Sequence, residues 1–358
     1  MAEPFDEVRT IAVLRGGGLG DLVFTLPALD ALRRTYPAAR IVLFGTPAHR
    51  ALLADRPGPV DRVEVLPAAT GVYEPPHGAV ARSAADFEAA ARALDIDLAC
   101  QLHGGGRYSN PFLLALRPRH SVGTATPDAA PLERTLSYVY YQHEVARWLE
   151  VAGLAGAPTD ISEPRLEPTA QERELGAGAW TDGDRPLVVL HPGASDPRRR
   201  WPIDRFADIA RRAAADGMAV IAVGDGEDVA LADAVAARAG HDRVVSAGGR
   251  LSLPELMAML GAASVFVGND SGPRHLAQAV GTPTVGLFWV GNVINGAPLS
   301  RGRHRVEMSW VTACPICGRD VTQVGWTAAR CAHDPSLLTG ITADSVYDDL
   351  RAVCHSRP

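Results

Sequence analysis

Short runs of consecutive apolar residues alternate along this chain with longer stretches in which apolar residues recur every three or four positions. TIAVLR ends at Arg15, ARIVLFG at Gly45, RVEVL at Leu66 and DLACQLH at His103. Each has the length of a strand, and TIAVL and IVLF have the near-unbroken apolarity of strands buried on both faces. Helical stretches separate them, Leu22 to Tyr36 after the first run and ADFEAAARALD between the third and fourth. A second series runs through LVVLHPG, MAVIAVG, RVVSAG, SVFVGND and TPTVGLF. PIDRFADIARRAAADG, EDVALADAVAARAG, LPELMAMLGAA and SGPRHLAQAVG supply the helices between them. Strands alternating with helices in this way predict parallel β-α-β units.

Between the two series, Glu163 to Pro186 is rich in charge, Gly and Pro and reads as an inter-domain connection. The pattern therefore predicts an α/β protein with two Rossmann-like domains facing each other across a cleft. The expected boundaries are 1–168 for the first domain, 169–340 for the second and 341–358 for a terminal helix begun by TADSVYDDLRAVC. A chain of 358 residues is long enough for two domains. Ligands of such sheets bind beyond the carboxyl ends of the strands, so the loops there carry the candidate chemistry.

Composition narrows the function classes. A formal charge of −6 argues against a generic nucleic-acid binder. No apolar run approaches the ~18 residues of a membrane span, and the acidic start MAEPFDEVRT lacks the apolar region of an export signal. With five unevenly spaced cysteines, these features predict a reduced, cytoplasmic protein. All 35 basic residues are Arg, so phosphate contacts must use guanidinium groups, backbone amides or hydroxyls.

Four strand ends hold polar groups suited to a nucleotide-linked substrate. After LVVLHPG come Ser195 and the cations Arg198, Arg199 and Arg200, a set able to hold a diphosphate or to form a solvated turn. After MAVIAVG come Asp225, Glu227 and Asp228. Of these Glu227 is the better placed to accept from a ribose diol, with capping of the next helix as the alternative. SVFVGND runs into a helix start at Ser271 and Gly272, where free N–H groups can receive an anion. Asp270, of the same sign as a phosphate, suits sugar hydroxyls, and His275 lies one turn on; both also fit plain capping and packing roles. In the first half, LRGGGLGD departs from the dinucleotide fingerprint and lacks a phosphate-loop Lys. It offers Asp21, either a general base or a helix cap, and glycines including Gly18 that admit close approach of an acceptor. QLHGGGRYSNP adds Gln101, His103, Arg107, Ser109 and Asn110 as an acceptor-binding ring. A helix around YVYYQHEVARWL adds Tyr141 and His143.

RGGGLGDLVFTLPALDALRRTYPAARI, HPGASDPRRRWPIDRFADIA, VGDGE and NDSGPRHLAQAVGTPTVGLF occur in this order. Together they resemble the bacterial lipopolysaccharide heptosyltransferases, the ADP-heptose-dependent members of glycosyltransferase family 9. The resemblance implies the GT-B fold, with the terminal helix returning to the first domain. It implies an inverting transfer of a sugar, heptose first, from a nucleotide diphosphate to an acceptor hydroxyl, with no metal in the chemistry. It assigns Asp21 as general base and Ser195, Arg199, Glu227, Asp270, Ser271, Gly272 and His275 to the donor. Arg199 stands where the family usually has Lys. The same fold also serves nucleotide-sugar epimerases and hydrolases, and a non-catalytic nucleotide-sugar binder is a further alternative. The first half carries only scattered cations, Arg50, Arg107, Arg117 and Arg119, so a small sugar, an aminocyclitol or another glycoside competes with an anionic glycan as acceptor.

CPICGRDVTQVGWTAARCAHD places Cys314, Cys317, Cys331 and His333 as a candidate Cys₃His zinc site, structural in kind. Packed reduced thiols and a disulfide are the alternatives.

Overall fold

The computed structural model describes residues 2–76, 82–176, 180, 185–324 and 327–354. The chain forms two compact units, Met1–Glu167 and Pro168–Pro358. In the first, β1 (Thr10–Leu14), β2 (Arg40–Gly45), β3 (Arg62–Val65), β4 (Leu98–Gln101), β5 (His120–Ala125) and β6 (Arg134–Ser137) make one sheet. Its order is β3-β2-β1-β4-β5-β6, and every pairing is parallel. In the second, β7 (Leu187–His191), β8 (Ala219–Ala222), β9 (Val244–Ser246), β10 (Val265–Asn269), β11 (Thr284–Trp289) and β12 (His304–Ser309) repeat that arrangement. The order there is β12-β11-β10-β7-β8-β9, again all parallel.

Both orders are the Rossmann order, first strand beside the fourth. Each sheet therefore has one switch point, between β1 and β4 and between β7 and β10, where successive connections leave toward opposite faces. The central strands β1, β7 and β10 are buried along their whole length, as their unbroken apolarity requires. β5, β6 and β12 escaped the sequence reading because HSVGTA, RTLS and HRVEMS mix polar and apolar residues. β6 and β12 are edge strands, half open to solvent.

Several boundaries differ from expectation for local reasons. The helix predicted from Leu22 to Tyr36 is two helices, Leu19–Val23 and Leu26–Thr35. Pro27 in the first turn of the second lacks an N–H and favours a restart there. The helix expected around YVYYQHEVARWL begins only at Glu144, with His143 as its N-cap; Tyr141 precedes it. Part of the expected connection is ordered as a helix, Ala170–Gly176, within the second unit.

The terminal helix Ala343–Cys354 corrects a larger expectation. It lies in the second unit, where Val346, Tyr347, Leu350 and Val353 join the core formed by β7, β8, β10 and helix Ile203–Ala215. Tyr347 Oη donates to Asp216 Oδ2 (2.5 Å), and the Arg212 guanidinium lies 4.0 Å over its ring. The helix has one apolar stripe, and this core covers it. Leu350 is fully buried there. Leu350→Ala should cost about 2–5 kcal/mol, read as a lower denaturation midpoint. An unchanged midpoint would remove this helix from the core.

Candidate functional site

The switch point of the second sheet gathers most of the residues singled out in the second half. Asn269, the last residue of β10, is fully buried. Its Nδ2 donates to the carbonyls of Pro192 (2.8 Å) and Gly193 (3.2 Å), and its Oδ1 accepts from the Trp201 N–H (3.0 Å). One carboxamide thus pins both ends of the loop that follows β7. Gly193 is required in that loop because an added Cβ would lie 2.0 Å from Asp228 Oδ2.

The three arginines of this loop have separate tasks. Arg198 is mostly buried and chelates Asp196 (Nε–Oδ1 3.1 Å, Nη2–Oδ2 2.6 Å), so it braces the loop instead of offering a free cation. Arg199 donates through Nη2 to Ser195 Oγ (2.8 Å) and through Nη1 to Asp270 Oδ2 (3.3 Å). Arg200 donates through Nε to the Ala194 carbonyl (2.9 Å) and pairs with Asp228 Oδ1 (3.3 Å). Ser195 is exposed, and Arg199 and Arg200 are partly so. Cations and a hydroxyl therefore border solvent on one turn.

Asp270 is nearly buried, and three protein donors converge on its two oxygens. His275 Nε2 approaches Oδ1 at 3.0 Å, and Arg199 and Asn292 Nδ2 (2.5 Å) donate to Oδ2. Burial alone would raise its pKa. The His275 hydrogen bond and the neighbouring charges, Arg274 and Arg199 among them, outweigh burial and hold the carboxyl well below the usual carboxylate range. The carboxylate thus orients Arg199, His275 and Asn292, besides offering any remaining lone-pair capacity to hydroxyls. Arg274 is fully buried, its pKa pushed down to about 10 by burial, and contacts His275 Nδ1 through Nη2. A guanidinium only donates, so the imidazole proton sits on Nε2, facing Asp270. Ser271 is the N-cap residue of helix Gly272–Ala279, but its Oγ meets His191 Nδ1 (3.1 Å) and the Asn269 carbonyl (3.2 Å), not a helix N–H. Plain capping therefore does not account for it. Glu227 is exposed on the 3₁₀ turn Gly226–Asp228 after β8, while Asp228 turns inward to Arg200 and His191.

The first unit builds a second polar centre at its own switch point. Asp21 Oδ1 accepts from Arg15 Nη2 (2.7 Å) and Oδ2 accepts from the Gly18 N–H (2.8 Å). Its side chain remains half exposed, at 47%, so it serves as a cap and still reaches solvent. Arg15 is buried and also donates to the carbonyls of Asp21 (3.0 Å) and Leu102 (2.7 Å). Gly17 has φ +87°, and a Cβ there would lie 2.5 Å from Asp21 Oδ2. His49 is buried, its pKa lowered by that burial, and Nε2 bonds the Gly18 carbonyl (2.9 Å).

The expected acceptor ring is divided by the fold. His103 spends both ring nitrogens on backbone, Gly16 N–H (3.2 Å) and Gly71 carbonyl (3.1 Å), and burial pushes its pKa down to about 4. Gln101 is buried and donates to Ser109 Oγ (2.6 Å) and the His103 carbonyl (2.8 Å). Asn110 is buried and donates to the carbonyls of Thr124 (3.2 Å) and Ala130 (2.8 Å). These three shape the loop after β4. Arg107 is exposed beside Asp128 (3.4 Å), and Gly18 borders Asp21. Sequence reasoning passed over Arg15, Asn269, Arg274, His191 and Asn292. The signal for the first four was a polar residue inside an apolar strand end or helix face, where burial demands a partner.

Cys314, Cys317, Cys331 and His333 come together in the second unit, their ligand atoms all within 4.8 Å of one another. A tetrahedral zinc with Zn–S of about 2.3 Å needs sulfur separations of about 3.8 Å, so the donor set fits with small adjustments. N–H groups of Cys317 and Ile316 point at Cys314 Sγ and lower its thiol to about 7, the amide pattern of a thiolate ligand. The site would hold the ion by protein ligands alone, which suits a structural role.

His191 supplies a pH prediction. Burial, then the Arg200 charge, pushes its pKa down to about 4 from an ordinary value near 6.5. The folded state therefore resists a proton that the unfolded chain accepts, and stability falls as pH drops from about 6.5 toward 4. His191→Gln should make that part of the pH–stability curve shallower, as read by denaturation at several pH values. An identical slope would show that His191 is not buried and neutral.

Residues 111–312 match the family described as glycosyltransferase family 9 (heptosyltransferase). The lipopolysaccharide heptosyltransferase 2 of Salmonella typhimurium is 27% identical over 221 residues, 58% of this chain and 61% of that one. The chain thus spans about three fifths of the length of the curated relatives that it first matches. A family 9 glycosyltransferase from Veillonella parvula has the same fold, with a TM-score of 0.78, 18% identity and 99% of both chains covered. The ADP-heptose lipopolysaccharide heptosyltransferase II of Escherichia coli gives 0.73 and 19%, over 97% of this chain and 98% of that one. With its two switch-point sites, a GT-B fold and a family match over more than half its length, the chain belongs to glycosyltransferase family 9.

Proposed function

We propose that the protein is an inverting glycosyltransferase that moves a sugar, heptose first, from an ADP-linked donor to an acceptor hydroxyl. The observation that carries this reading is the Arg199 bridge between Ser195 and Asp270, beside the helix start at Gly272. A donor diphosphate arriving there replaces protein acceptors on Arg199 and meets Arg200, Ser195 Oγ and the Gly272 N–H at the helix start. Adenosine diphosphate and heptose are the choices that the names of the relatives suggest. Glu227, exposed after β8, suits the ribose hydroxyls.

Asp21 takes the proton of the attacking hydroxyl, held for that task by Arg15 and the Gly18 N–H. Attack at the anomeric carbon breaks its bond to the diphosphate oxygen and inverts the centre. Negative charge then grows on the departing diphosphate, where Arg199, Arg200 and Ser195 already point donors. Asp270 keeps Arg199 in place, and His275 holds Asp270 from its other oxygen. No step uses a metal.

The acceptor is a neutral glycan or small glycoside on this reading. Beside Asp21, Arg15 is paired with Asp21 and Glu144, and Arg147 with Glu144; Arg50, after the His49 that bonds the Gly18 carbonyl, is exposed. Those pairs leave little positive charge there for an anionic acceptor. A reducing, cytoplasmic setting fits thiols that converge as a ligand set. No helix of the described residues is long and apolar enough to cross a membrane.

Two measurements test the reading. Calorimetry with ADP, UDP, GDP and TDP should show preference for ADP, and Glu227→Ala should weaken it roughly tenfold, the size of one charge-assisted hydrogen bond. Binding of no diphosphate would overturn the donor site. Asp21→Asn should lower turnover by about 10²–10⁴ while ADP affinity stays unchanged. Full turnover in that variant would remove Asp21 as the base, and complete consumption of donor without acceptor would mark a hydrolase.

A further inference from the structure

The segment that carries the cysteines has little core around them. Between the end of β12 and Ala343 the described residues form no helix or strand, only the isolated bridges Ala313–Asp320 and Val324–Ala328. Leu338 and Ile341, at its far end, join the main core of the unit, but around the thiols the buried apolar residues are only Cys314, Val321 and Leu337, with Trp289, Val311 and Cys331 packed against them. The described part of 310–335, which holds all four candidate ligands, therefore has little buried apolar area of its own to order it. The turn around the first two cysteines is nevertheless tight. Gly318 has φ +70°, its N–H donates to the Cys314 carbonyl (2.8 Å), and the Cys314 N–H donates to the Arg319 carbonyl (2.8 Å). The turn presents both thiols on one side, toward Cys331 and His333.

This segment is also what holds the arginine loop. Arg330, next to Cys331, reaches Asp196 Oδ2 (3.4 Å). Asp196 caps the turn Pro197–Arg199, accepting from the Arg198 N–H (3.0 Å), and so sets the direction of Arg199. The Leu337 N–H donates to the Arg198 carbonyl (2.8 Å), and Ser336 Oγ donates to the Arg200 carbonyl (2.6 Å). A second route runs through Trp289. Its Nε1 donates to the Val311 carbonyl (2.5 Å), and its backbone N–H donates to Asn292, whose amide bonds Asp270. Every backbone carbonyl from Arg198 to Arg200 that meets this segment does so within seven residues of Cys331.

We infer that a thiophilic divalent cation held by Cys314, Cys317, Cys331 and His333 fixes the 195–200 loop, so that donor affinity depends on a metal that takes no part in the chemistry. Three thiolates and a neutral imidazole bind the cation. Its binding energy then orders the segment, as it does in small metal-dependent domains. The ordered segment in turn holds Asp196 and the carbonyls of Arg198 and Arg200, leaving the guanidinium of Arg199 aimed at the diphosphate. The inference rests on the donor-site reading above only for the identity of the ligand.

The test begins with elemental analysis of protein produced in zinc-supplemented medium, where one zinc per chain is expected. Metal is then stripped under reducing conditions and restored, with hydrogen exchange followed over residues 194–201 and ADP affinity measured by calorimetry. Stripping should speed exchange in that loop and weaken ADP about tenfold, the usual effect of losing a support behind a binding group, and zinc should reverse both. Cys317→Ser, at an exposed ligand, should mimic the stripped protein. Arg330→Ala leaves the ligand set intact and should keep its zinc while weakening ADP several-fold, which separates coupling from misfolding of a cysteine variant. Protein that holds no stoichiometric metal overturns the site. Protein whose loop exchange and ADP affinity ignore the metal overturns the coupling. If the loaded protein fails to bind ADP, the donor reading falls, and loop exchange alone decides the coupling.

Discussion

The second unit depends on one buried carboxamide. At a switch point, two neighbouring parallel strands send their connections to opposite faces, and nothing in the sheet covers the gap at their ends. Asn269 fills that gap, satisfying the carbonyls of Pro192 and Gly193 and the N–H of Trp201 with a single side chain. The loop it holds carries Ser195, Arg199 and Arg200; the turn that follows it carries Asp270 and Ser271. A hydrocarbon side chain there would leave three buried backbone groups unpaired, each at a cost of about 1–3 kcal/mol.

Charge balance then shapes both sites. With Arg as the only basic side chain besides His, each cation is a planar fork that is always charged, and burial forces it to find an acceptor. Arg15 finds Asp21, Arg198 finds Asp196, and Arg199 divides itself between Ser195 and Asp270. The difference among them lies in exposure. Arg15 and Arg198 are closed off and act as braces, whereas Arg199 keeps a solvent edge on which a phosphate can substitute for protein oxygens. The same rule accounts for Asp270, whose buried charge is tolerable because Arg199, His275 and Asn292 surround it.

The cysteine segment extends this logic from charge to covalent-like cross-linking. A stretch without helix or strand contacts the arginine loop at three backbone or side-chain positions. Around the thiols its buried apolar area is small, and three sulfurs and an imidazole converge there instead. Gly193 and Asp228 make the complementary contact from the β8 side, where the absence of a Cβ lets a carboxylate stand against the loop.

Much of this was legible in the amino-acid order. Unbroken apolar runs announced the central parallel strands, because a strand buried on both faces tolerates little else. Glycine and polar residues after those runs marked the loops at Asp21, Ser195, Glu227 and Asp270, and the C-x-x-C and C-x-H pairs marked the thiol cluster. β5 and the edge strands β6 and β12 were not legible, since HSVGTA, RTLS and HRVEMS mix polar and apolar residues like a loop. Nor could spacing say that His103, Gln101 and Asn110 turn inward to backbone carbonyls while Asp21 keeps half its surface open. The sequence by itself determined which residues must leave water and in what periodicity, and so the two α/β units and the places of their loops. Only the tertiary structure decided which polar groups pair with one another and which stay available, because hydrogen-bond partners are chosen across 70 to 80 residues of chain, as in Asn269 with Gly193 and Arg199 with Asp270.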